Sequence, residues 1–117
     1  MPRDIHEADW KFFRKLREVA LERFCERILS EIGKLSAAPD RSFHDRYIDV
    51  YRRIDDRDEE LARAFNDPRR SRMVEQLAQL RALRLIEDEE LAMFSEQTQE
   101  VVGALTGVSK SSRTSQR

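Results

Sequence analysis

The apolar residues of the chain recur at helical spacing over most of its length. Between Asp4 and Leu35 they repeat every three or four positions and mark one face of a single long helix. A capping-box spacing from Asp4 to Glu7 predicts its start, and the segment 36–39, which contains Pro39, predicts its end. The residues on this face are Trp10, Phe13, Ala20, Leu21, Phe24, Ile28, Ile32 and Leu35.

Three shorter helices are predicted after the long one. The second runs from Ser42 to Asn66. The third has Asp67 as N-cap and Pro68 as first residue, and ends near Leu85. The fourth begins within the acidic run 87–90 and stops at Gly107. The second helix is expected to turn one apolar stripe inward, made of Phe43, Tyr47, Val50, Ile54, Leu61 and Phe65.

This pattern predicts an all-α protein, an antiparallel helical bundle of about four helices with one long N-terminal helix. Charged residues make up 38% of the 117 positions and only six are Gly or Pro, which agrees with a helical protein. We expect residues 1–107 to form a single bundle domain. Residues 108–117 form a polar basic tail without acids.

Charge and cysteine usage narrow the function classes. A formal net charge of −1 gives no global attraction to nucleic acid or to an anionic membrane. The single Cys25 excludes an internal disulfide and fits a reducing compartment. No stretch approaches the roughly 18 apolar residues of a membrane span, and the first ten residues lack the apolar run of a signal peptide. We therefore expect a cytoplasmic protein without a membrane partner.

One pair of opposite charges is expected inside the bundle. Arg17 falls in the apolar stripe of the first helix, and Asp58 lies at the edge of the second stripe between Ile54 and Leu61. An antiparallel hairpin brings the two to similar levels, where each charge satisfies the other. We interpret Arg17 and Asp58 as a structural ion pair, with a polar binding site between the helices as the alternative.

A polar cluster on the second helix carries the enzyme alternative. His44, Tyr47, Tyr51 and Asp55 step by three and four and share one side, where a His, two phenols and a carboxylate suit acid–base chemistry or a small-molecule site. Aromatic packing with polar tips in water explains the same residues more simply. No Glu-x-x-His pair occurs, so neither a metal nor a cofactor is expected, and we assign no catalytic residue.

A basic corner precedes the third helix. Arg69, Arg70 and Arg72 lie where cations oppose the helix dipole, which favours either full solvation or an anionic partner. A nucleic-acid-binding regulator using this corner is the first alternative function. The near-neutral net charge and the acidic run before the corner disfavour nucleic acid as a partner.

A second apolar strip on the first helix suggests a partner protein. Phe12, Leu16 and Val19 lie away from the main face, and four helices need not cover them. We expect these residues to contact a second copy or another protein. The predicted function is thus a non-catalytic, small cytosolic helical module that acts by protein–protein association, with a homodimer expected.

Overall fold

The computed structural model describes residues 6–107, and these contain helices but no strand. This confirms the all-α class and the long N-terminal helix. Within residues 6–107 no helix combines the length and the apolar character that crossing a membrane requires. The helices are α1 (Glu7–Ser36), α2 (Phe43–Phe65), α3 (Met73–Ala82), α4 (Asp88–Leu91) and α5 (Glu96–Thr106), with a 3-10 turn at Arg70–Arg72 before α3.

The predicted bounds of the first two helices agree with the structure where it describes them. The predicted start at Asp4 lies outside the described residues, and α1 ends one residue later than expected, at Ser36. Ser42 caps α2, because its hydroxyl accepts a hydrogen bond from the Asp45 amide at 3.0 Å. The polar segment between α1 and α2 thus ends the first helix and caps the second, as the sequence predicts.

The third helix starts later than predicted. Asp67 has φ +55° and is therefore not an N-cap, since a capping residue is extended. Helical structure begins only with the 3-10 turn at Arg70–Arg72, and α3 proper begins at Met73. α3 closes in a Schellman motif around Arg84, which has φ +63°, as the Leu85 amide donates to the Leu80 carbonyl.

The predicted fourth helix is two helices. The four-residue α4 ends at Leu91, and α5 begins after Ser95, whose hydroxyl accepts from the Thr98 amide at 3.3 Å. Ser95 has an extended backbone (φ −62°, ψ 156°), which no helix interior tolerates, so the break is set by this cap. Gly107 ends α5 with φ +73°, as the sequence predicts.

The chain forms two compact units, and α1 contributes to both. The first unit comprises the described residues up to Ala20 together with those from Asp67 onward. Its apolar core joins the first part of α1 to α3, the segment after α3, and α5. The buried residues of this core include Phe13, Leu16, Met73, Val74, Leu77, Leu80, Leu85, Ile86, Phe94 and Val102.

A buried carboxylate links the two ends of the first unit. Asp9, in the first turn of α1, is only 4% exposed. Its oxygens accept hydrogen bonds from the Ser95 amide at 3.0 Å, the Ser95 hydroxyl at 2.8 Å and the Thr98 hydroxyl at 2.8 Å. The negative charge therefore lies at the N-terminus of α5, where the helix dipole favours it.

The second unit, Leu21–Asn66, is a two-helix hairpin. Its contacts pair residues further along α2 with residues earlier on α1, so α2 runs antiparallel to the second part of α1. The pairs include Arg46 with Ser36 and Phe65 with Phe24, whose rings are stacked at 6.2 Å. The buried apolar side chains of this unit lie where the hairpin opens, at Phe24, Ala64 and Phe65.

Candidate functional site

The most exposed large apolar side chains of the second unit include four that follow one side of α2. Phe43 is 83% exposed, Tyr47 66%, Tyr51 61% and Ile54 49%. They step by four, four and three residues, which places them on one helix face over about 16 Å at 1.5 Å per residue. We call these four residues the aromatic stripe. Its exposure corrects the expectation that Phe43, Tyr47 and Ile54 face inward.

Three arginines explain why the side of α2 that contacts α1 is not the predicted apolar side. The Nε and Nη2 atoms of Arg46 donate to the Ser36 carbonyl at 2.8 and 2.6 Å. Further along, Arg53 and Arg57 reach Glu31 on α1. Because these arginines step by seven and four residues, they define the contact side of α2, and at about 100° per residue the stripe lies roughly a quarter turn away. These bonds leave the aromatic side chains in solvent.

The Glu31 carboxylate is the polar centre of the hairpin. Arg57 binds it through two hydrogen bonds, Nε to Oε1 and Nη2 to Oε2, both 2.9 Å, and Arg53 adds a third at 3.2 Å. The side chains of Glu31 and Arg57 are 23% and 29% exposed. The hydrogen bonds from Arg57 lower the pKa of Glu31 below its ordinary value of 4.5, against an opposing effect of burial.

The guanidinium of Arg57 is fixed from two sides. Besides Glu31, it donates to Glu60 one turn further along α2, at 2.6 Å. The hydrogen bond to Glu31 is the larger cause and that to Glu60 the next in raising the pKa of Arg57. Arg57 is therefore always positively charged, and its bonds to Glu31 fix which side of α2 faces α1. Sequence analysis missed this pair, because nothing in the α1 pattern distinguishes Glu31 from the other acids.

The N-terminal end of the stripe is also ordered by charges. The Arg46 guanidinium lies 4.8 Å from the centroid of the Phe43 ring, within the range of a cation–π contact. Arg41, just before the helix, forms two hydrogen bonds of 2.9 Å with Asp49, and this contact raises the pKa of Arg41. The first turns of α2 thus have defined side-chain positions despite their exposure.

The groove described on α2 does not include the residues of the enzyme alternative. Four side chains make up that alternative, and all of them are exposed on α2: His44, Tyr47, Tyr51 and Asp55. This exposure agrees with aromatic side chains whose polar tips reach water. An open groove of about 430 Å³ lies elsewhere on α2, and none of the four residues lines it. Its walls are charged and offer little of the apolar surface that small-molecule sites use. The lining residues are Arg53, Asp56, Arg57, Glu59, Glu60 and Arg63.

The basic corner is neutralised by carboxylates. Arg69 pairs with Asp67 at 2.7 Å, Arg70 with Glu7 at 2.7 Å and Arg72 with Glu75 at 2.9 Å. All of these side chains are largely exposed, so each pair is weak and screened by salt. This geometry does not favour a phosphate contact at the corner.

The strip on α1 that we assigned to a partner is shared between core and surface. Leu16 is 3% exposed and belongs to the core of the first unit. Phe12 packs on Phe94 with ring centroids 5.0 Å apart. Val19 is 43% exposed, the largest exposed fraction of the three, and remains available for another chain.

Arg17 and Asp58 fall in different units. Arg17 is half-buried and Asp58 is exposed. Because the Asp58 carboxylate stays in water, it loses no hydration that an ion pair would have to replace. The pair stays a prediction.

The remaining candidate chemistry is sparse. Cys25 is a half-buried thiol on α1. Within residues 6–107 no group of three His, Cys, Asp or Glu side chains is arranged to hold a metal ion. The aromatic stripe is therefore the best candidate for a functional surface, and the interaction that it offers is apolar contact.

Comparison of the chain with protein-family models, with curated proteins and with solved structures finds no match.

Proposed function

We propose that the protein is a non-catalytic helical module that acts by protein–protein association, including association with itself, through the aromatic stripe of α2. The observation that carries this proposal is the exposure of three aromatic rings and an isoleucine in one continuous row. Tyrosines supply large, rigid contact area at low entropic cost, and they are enriched in interfaces. A cytoplasmic setting agrees with the single thiol at Cys25.

The size of the stripe supports an interface. A fully buried aromatic side chain removes about 150–250 Å² from water. Weighted by the observed exposures, the four side chains present on the order of 500 Å² of surface, in the upper part of the range for the largest patch on a monomer. Leu29, 69% exposed on the α1 part of the same unit, adds to the apolar surface of the hairpin.

Sedimentation velocity of the full chain over a hundredfold range of concentration tests the proposal. We expect a concentration-dependent dimer, weakened on the order of ten-thousandfold when Tyr47→Gln and Tyr51→Gln are combined, since the change removes four rings from a symmetric pair and each buried tyrosine anchor contributes about tenfold or more. Glutamine keeps helix propensity and removes the ring.

The matched control replaces two exposed apolar residues of the other unit, Met93→Gln and Leu105→Gln, which are 69% and 54% exposed. This variant should associate like the wild type. A strict monomer at every concentration, or equal weakening by both double variants, would contradict association through the stripe.

A further inference from the structure

The charges of α2 are divided between its two halves. Residues 43–53 carry three arginines against two aspartates, whereas residues 54–65 carry five carboxylates against two arginines. The helix dipole adds positive charge at the first end and negative charge at the second. The second half of the helix that carries the aromatic stripe is thus much more acidic than the first, and this difference favours a reversed copy over a parallel one as its partner.

We infer that the partner of the aromatic stripe is the same stripe on a second copy of this chain, packed antiparallel about a two-fold axis at the level of Asp49. This inference rests on the proposed association through α2. It specifies the partner and its direction. Such an interface is isologous, so one self-complementary surface serves both copies.

The residues beside the stripe favour this direction. His44 and Asp55 are exposed and lie on the same flank of α2, eleven residues apart. In an antiparallel pair equal flanks face each other, so His44 of one copy approaches Asp55 of the second, and the contact occurs twice by symmetry. A parallel pair instead sets the exposed Asp58 beside Asp58 of the second copy, where like charges repel.

The area agrees with a two-copy interface. If both stripes are covered, the pair buries on the order of 1,000 Å², the size at which specific interfaces begin. Phe43 at one end of the stripe then lies at the level of Ile54 of the second copy, so each ring meets an apolar side chain. Because α1 lies a quarter turn from the stripe on each α2, the two hairpins together form a four-helix arrangement.

Distances between spin labels test the direction. In a Cys25→Ala background, the full chain is labelled at one position at a time through Asp45→Cys, Arg52→Cys or Glu59→Cys, which step by seven residues along one side of α2 and are all exposed and outside the stripe. In an antiparallel pair the separation along the axis grows by about 3 Å for each residue of distance from the two-fold, from 1.5 Å of rise in each copy. We expect the shortest distance at position 52, a longer one at 45 and the longest at 59.

Two results would overturn the inference in distinguishable ways. Equal distances at the three positions indicate a parallel pair, which overturns the antiparallel partner while association through the stripe stands. A monomer in sedimentation with no distance between labels overturns both the inference and the proposed function. Circular dichroism of each labelled variant confirms that the helices are retained.

A charge exchange provides a second test. His44→Glu should weaken the pair about five- to tenfold, because two exposed charge contacts turn repulsive. Adding Asp55→Lys to the same chain should restore the wild-type affinity. Weakening by His44→Glu that Asp55→Lys does not restore would place these residues apart and overturn the inferred register.

Discussion

Removing the Asp9 carboxylate should destabilise the first unit strongly. Asp9→Ala leaves the Ser95 amide and two hydroxyls without the acceptor that they have in the structure. A buried donor that loses its partner costs about 1–3 kcal/mol, and the two hydroxyls can still contact each other, so we expect a total loss of about 2–4 kcal/mol. At roughly 4–8 °C per kcal/mol this lowers Tm by about 8–32 °C.

The single tryptophan provides the assay. Trp10 is adjacent to Asp9 and stacks on Phe13 at 5.8 Å, so its fluorescence during urea unfolding reports on the first unit. Glu18→Ala, which removes an exposed carboxylate from the same helix, should leave the free energy of unfolding within about 0.5 kcal/mol of the wild type.

A double-mutant cycle separates the hydrogen bond from the general effect of the substitution. Asp9→Ala and Thr98→Val should show a coupling free energy of about 0.5–3 kcal/mol, because the second change removes a donor that has already lost its acceptor. Additive effects, or a loss by Asp9→Ala no larger than that of Glu18→Ala, would refute the assigned role of this carboxylate.

Further predictions concern the hairpin and the helix ends. Because the pKa of Glu31 is lowered in the fold, its stabilising contribution is complete above about pH 4.5 and is lost as pH falls below that value. Glu31→Gln should therefore cost about 1–2 kcal/mol at pH 7 and less at pH 3 in thermal melts, whereas the exposed Glu26→Gln should show no such trend. Gly33→Ala should raise the free energy of unfolding by about 0.5–1 kcal/mol, since a Cβ there meets nothing within 4 Å inside a helix. Gly107→Ala should lower it by about 1 kcal/mol, because φ is +73°. A loss of stability in Gly33→Ala, or none in Gly107→Ala, would contradict these readings.

Most of the secondary structure could be predicted from the helical spacing of apolar residues and from capping residues. The Ser42 cap and the Gly107 stop were readable because each depends on residues within one turn. The break at Ser95 was missed although the residue is a good N-cap, because the apolar periodicity continues through Phe94 and Thr98. The late start of α3 was missed because Asp67 followed by Pro68 also suits a turn, and the chain uses it as one.

The candidate site was only partly predictable, for a physical reason. The sequence shows that Phe43, Tyr47 and Ile54 share a face, but the direction of that face depends on which neighbouring side binds α1. That choice is made by Arg57 and Glu31, which are 26 residues apart and look like ordinary surface charges in the sequence. Long-range polar contacts of this kind have no local pattern, and Asp9 is a second example.

The Asp9 contacts also set an order for events during synthesis. The carboxylate emerges early, yet its acceptor sites are filled only by residues 86 and 89 positions later. At about 5–20 residues per second the ribosome needs roughly 4–17 s to supply them. The Leu21–Asn66 hairpin lies wholly within that interval, so it can form first, while the segment around Asp9 waits in water for its late partners.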